Sequence, residues 1–194
     1  MLGGIASVQW GAAAATTLFD EVGAAGTVFL RVAISALLLV VLWRPAWSVL
    51  RGAAARDIVA FGLVLAAMNW SFYEALDRIP LGIAVTIEFT GPLGVAILRS
   101  RRRLDLLWAG CAAAGLLLLA PIGGGSVAAL GALFALIAGA CWGAYILLSA
   151  RVGRAVSGGS GLAVAMTVGA VVLIPAGVAG GGADLLAVHT LLVG

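Results

Sequence analysis

The chain has 194 residues, 63% of them hydrophobic and only 10% charged, against the roughly 25% charged residues of a soluble domain. That composition excludes a soluble enzyme. A net charge of +3, with the arginines at the ends of apolar runs, excludes a nucleic-acid-binding module as well.

Apolar stretches near twenty residues long recur along the whole chain, separated by short breaks bearing Gly, Arg or Pro. They are apolar all round, where barrel strands would alternate. The fold class is therefore all-α, a polytopic helical membrane protein. The longest polar connection runs from Arg44 to Asp57, 14 residues, which leaves no room for a soluble catalytic domain.

In chain order, the first span covers 2–19 and ends at Asp20 and Glu21. It has neither a basic leader nor a cleavage site, so it is not a signal peptide, and its start looks clipped. The second span, 24–43, carries Arg31 within it and is followed by Arg44, Arg51 and Arg56, with Trp43 and Trp47 at the interface. The third, 58–76, ends among Glu74, Asp77 and Arg78; Glu74 stands where an apolar residue is expected. The fourth, 80–98, is closed by Arg99, Arg101, Arg102 and Arg103. A fifth, 106–122, leads into the turn of Gly123, Gly124 and Gly125. The sixth covers 128–150 with Arg151 and Arg154 behind it, the seventh covers 162–178, and an eighth begins at Leu185. Cys111 and Cys141 lie in separate apolar spans and read as packing residues, so no disulfide, metal or cofactor is expected.

The loops after spans two, four and six hold three, four and two arginines, while the loops on the other side hold only Arg78. Arginine-rich loops stay in the cytoplasm. The expected placement is a multi-pass membrane protein with its N-terminus in the cytoplasm.

Sliding the chain by 132 residues sets Ile5 and Ala6 on Ile137 and Ala138, and Trp10, Gly11 and Ala12 on Trp142, Gly143 and Ala144. Spans one and two then match spans six and seven. Five spans separate the copies, so they are inverted, an arrangement typical of transporters. The expected domains are a first five-helix repeat, 1–131, and a partial second repeat, 132–194, with about seven and a half of ten helices present. A second copy as long as the first would run about 69 residues past Gly194, and the sequence reads as a fragment.

The fourth span organises the rest. Glu88 lies near its middle, and Pro92, four residues later, has no N–H for the Glu88 carbonyl. The helix is expected to break around Gly91 and Pro92, leaving an ionisable side chain and a backbone acceptor within one turn. Ala84, Val85, Gly91 and Pro92, on the Glu88 face, are compact, so a neighbouring helix or a cavity can come close. Such an acid cycles a proton or pairs with a substrate ammonium; the structural alternative is a fixed bridge to Arg31. Both residues lie about 10 Å in from the same side of the membrane, so they can meet, and Arg31 can equally hold a substrate carboxylate. Asn69 and Tyr73, four apart, share a face of span three. They, with Gln9, Thr90, Trp142 and Tyr145, either read substrate polar groups or bond across helices. His189, the only histidine, reads as a surface residue. Gly139 and Gly143 are spaced for close helix packing.

The run from Pro80 to Ala96, PLGIAVTIEFTGPLGVA, closely resembles the fourth-helix signature of bacterial threonine/homoserine exporters, in the EamA branch of the drug/metabolite transporter superfamily. Met68 to Tyr73 (MNWSFY) and Gly139 to Leu148 (GACWGAYILL, read through Leu148) resemble the same group. The resemblance implies an inner-membrane carrier of two five-helix inverted repeats that exports small amino acids against a proton gradient, one repeat rocking on the other around Glu88. The partners it implies are a small-molecule substrate, protons, the bilayer and a second copy in a homodimer. Two rivals stay open: a non-transporting chain that serves only as a binding partner, and a carrier of another substrate class. A membrane-embedded enzyme would need a nucleophile and base or a metal set, and one histidine without paired intramembrane acids argues against it.

Overall fold

A computed structural model describes residues 23, 25–100, 107, 110–111, 114–115 and 128–182. The first and eighth expected spans, nearly all of the fifth, Gln9 and His189 lie outside these residues.

Helix α1 is Ala25–Trp43. A short 3-10 helix, Trp47–Arg51, precedes α2, Ala55–Leu76. The fourth span consists of α3, Leu81–Glu88, and α4, Thr90–Arg99; α5 is Ala129–Ala155 and α6 is Ser160–Gly181. With α3 and α4 taken together, five stretches are long and apolar enough to cross a membrane. No strand occurs among the described residues. The protein is a polytopic helical membrane protein.

α2 is the central helix. It packs along α5 on one side and along α6 on another, while α3 and α4 lie on α5, and α5 scarcely touches α6. Small residues let these backbones approach, as expected where lipid offers no hydrophobic drive for helix pairing. At the α2–α6 crossing, a Cβ on Gly62 would stand 2.5 Å from the Ala165 carbonyl oxygen, and one on Gly169 would stand 3.1 Å from that of Gly62.

Near the arginine-bearing ends, Ile58, Phe61 and Leu65 of α2 pack with Val152, Val164 and Ala165. Towards the other ends, α2 has two distinct faces. Ala66 and Tyr73 meet Val28 and Val32 of α1 and Leu173 of α6. Phe72, Ala75 and Leu76 meet Ile83, Ala84 and Ile87 of α3 and Ala135 of α5.

Glu74, out of place in an apolar helix end, has a local partner. Its carboxylate accepts from Arg78 at 2.7 Å, four residues on, and the same guanidinium donates to the Glu74 carbonyl and lies 5.2 Å from the Phe134 ring centre. Arg78 thereby ties the end of α2 to α5.

Candidate functional site

The fourth span is interrupted at a single residue rather than broken at Gly91 and Pro92. Its only interruption is Phe89, whose backbone stays right-handed (φ −63°, ψ −14°). The bonds on either side are intact: Phe89 N–H donates to Val85 at 3.0 Å and Leu93 N–H to Phe89 at 3.1 Å. What Pro92 removes is the bond to the Glu88 carbonyl. The expected break is thus a hitch of one residue, because the proline costs one donor while its neighbours keep theirs. The hydroxyls of Thr86 and Thr90 turn back to the Gly82 and Ile87 carbonyls, at 2.7 and 2.6 Å. Thr90 is exposed.

This hitch is seated on α5. A Cβ at Gly91 would collide with the Gly139 carbonyl oxygen, and one at Gly139 would stand 2.7 Å from the Glu88 carbonyl oxygen. One turn further along, the same place on Gly143 is 3.2 Å from the Val95 side chain. The carbonyl freed by Pro92 therefore faces the Cα hydrogen of a glycine, a weak but favourable contact. The glycine pair of α5, legible in the sequence as a packing device, is the surface on which the Glu88 turn rests. Phe89, which was not among the expected site residues, makes an edge-on pair with Trp142 of α5, ring centres 4.9 Å apart. An unexplained mid-span tryptophan was the available signal.

Glu88 is 9% exposed. Among the described residues it has no ion pair and no hydrogen bond. Arg31 and Glu88 do not form the bridge that was the structural alternative: the Arg31 guanidinium donates to the Tyr73 hydroxyl at 2.9 Å. Equal depth did not bring the two charges together, because Tyr73 meets α1 and α6 while α3 packs on the other face of α2. Tyr73→Phe removes a hydrogen bond to a charged group, so it should lower stability by about 1.5–3 kcal/mol, read as an earlier thermal unfolding transition of the purified protein.

The remaining candidates are dispersed. The Asn69 amide donates to the Leu65 carbonyl of its own helix at 2.9 Å. The Tyr145 ring lies tilted against that of Phe61, centres 5.1 Å apart, in the cluster near the arginine-bearing ends. The structure gathers Glu88, Phe89, Gly91, Gly139 and Trp142 at one crossing and Arg31 with Tyr73 at another.

The site is thus an acid without a fixed partner among the described residues, on a membrane span locked against a neighbour, in a multi-pass helical membrane protein. The threonine/homoserine exporter RhtA of Salmonella typhimurium (strain LT2) is 42% identical over 176 residues, 89% of this chain and 59% of the relative. The exporter of the same name from Escherichia coli (strain K12) is 40% identical over 180 residues, 91% of this chain and 60% of the relative. The chain is similar to threonine/homoserine exporters along about nine tenths of its length, and it spans about three fifths of the length of the curated relatives it matches. No family model and no solved structure matches it.

Proposed function

We propose that the protein is a secondary transporter that exports small amino acids of the threonine and homoserine kind in exchange for protons, from an inner membrane with its N-terminus in the cytoplasm. The observation that carries this reading is Glu88, buried at mid-span with no counter-charge among the described residues. A lone buried charge is costly, so its partner is one that comes and goes, a proton or the substrate's ammonium group. The names of the relatives support the substrate class.

In this reading the Phe89–Trp142 pair borders the site and the Gly91–Gly139 contact fixes its floor. The first repeat, 1–131, and the second repeat that begins at 132 rock against each other across that contact. Arg31, bonded to Tyr73 against another face of α2, braces α1 and leaves the substrate to Glu88.

The test is retention of radiolabelled threonine. Cells without exporters of their own are loaded with a threonine dipeptide and followed with and without the protein. Faster loss of label with the protein is the expected result. Equal loss, with the protein present in the membrane, would remove the proposal.

A further inference from the structure

Helices α1 and α6 run antiparallel and touch at both ends. At one end a Cβ on Gly177 would stand 2.5 Å from Phe29, and one on Gly180 would stand 2.9 Å from Ala25. At the arginine-bearing end the Trp43 ring packs on Gly158, 3.4 Å from where its Cβ would be, and more closely on Gly159. Pro175, within α6, cannot donate to the Val171 carbonyl.

Between these contacts lies an open groove of about 350 Å³, walled by Phe29, Ala33, Ala36 and Val40 of α1 and by Ala170 and Ile174 of α6. Trp47 lines the end beyond Val40. The one hydroxyl in the wall, that of Thr167, is spent on the Ala163 carbonyl at 2.9 Å. Among the described residues, a polar ligand finds no free side-chain donor along these helix walls.

From Phe29 to Val40 the groove is about 16 Å long, against the roughly 15 Å of hydrocarbon in one leaflet. Its Trp47 end is an interface: Arg44 and Arg51 flank Trp47 in the chain, and all three are exposed. An apolar slot one leaflet deep, whose tryptophan end is flanked in the chain by two exposed arginines, suits an acyl chain below an anionic headgroup.

We propose that this groove is a binding site for one anionic phospholipid of the arginine-side leaflet, its acyl chain lying between α1 and α6 and its phosphate on Arg44 and Arg51. The site is on the α1–α6 side of α2, away from Glu88, and does not depend on the transport reading.

The experiment is native mass spectrometry of the detergent-purified protein titrated with dioleoyl-phosphatidylglycerol or dioleoyl-phosphatidylcholine. One phosphatidylglycerol should bind in preference to phosphatidylcholine. Arg44→Gln and Arg51→Gln should each weaken that preference about fivefold. Ala36→Phe, and from the other wall Ala170→Phe, should abolish binding of both lipids. Two filling variants on separate helices guard against one that fails to fold. Equal binding of the two lipids overturns the proposal, as does unchanged binding in the filled variants. A dimer that dissociates when either alanine is enlarged also overturns it, since the groove would then hold a second copy of the chain.

Discussion

Gly91→Ala should detach the fourth span from α5 and cost about 3 kcal/mol, a thermal midpoint lower by about 6–12 °C for a chain of this size. The added Cβ would fall on the Gly139 carbonyl oxygen. Backbone stands on both sides of that contact, so no side chain can rotate away. The reverse contact, from Gly139 to the Glu88 carbonyl, pins the same spot from α5. Gly94 supplies the control. It lies three residues along the same helix, and a Cβ there meets nothing within 4 Å among the described residues, so Gly94→Ala should not lower the midpoint. Tryptophan fluorescence during heating reads both variants, because Trp142 sits at the crossing against Phe89. Equal midpoints for the two alanine variants would mean that the Gly91–Gly139 contact does not hold the span.

The second large effect is expected at Glu88. Glu88→Gln keeps the shape of the side chain and removes its ability to ionise. In the proposed exporter it should bring threonine efflux from loaded cells down to the level of cells without the protein, while the amount of protein in the membrane stays the same. The physical reason is that the carboxyl has no fixed partner to lose among the described residues, so an amide costs the fold nothing and costs the transport cycle its exchangeable site. Glu74→Gln is the matched control. It breaks a partly exposed pair with Arg78, worth about 1 kcal/mol or less, and should leave efflux intact. Undiminished efflux by Glu88→Gln would reduce Glu88 to a structural acid.

The second, third, fourth and sixth spans were legible because charges or proline bound their apolar runs. The second, expected at 24–43, is Ala25–Trp43, and the fourth, expected at 80–98, runs from Leu81 to Arg99 across the Phe89 hitch. The sixth continues past its expected end at 150 to Ala155 because Arg151 and Arg154 extend the last turns, where cations suit a helix C-terminus.

Pairing was harder to read. Depth follows from counting residues along a helix, but the direction a side chain faces depends on which helices are neighbours. Arg31 and Glu88 share a depth and not a partner, since α1 and α3 meet different faces of α2. The spacing of Glu74 and Arg78 would have identified their pair, had the helix been extended past its last apolar residue. The seat of Glu88 needed both glycines of one crossing, and Gly91 and Gly139 lie 48 positions apart in the sequence.

The central claim, that a carboxyl at the Glu88 turn exchanges protons for an amino acid, is tested most directly by proton movement itself. Proteoliposomes holding the protein, threonine and an internal pH indicator are diluted into threonine-free buffer. The account predicts that departing threonine draws protons inward, so the interior acidifies with the wild-type protein and not with Glu88→Gln. Threonine leaving without acidification, or the same acidification in both proteins, would contradict it.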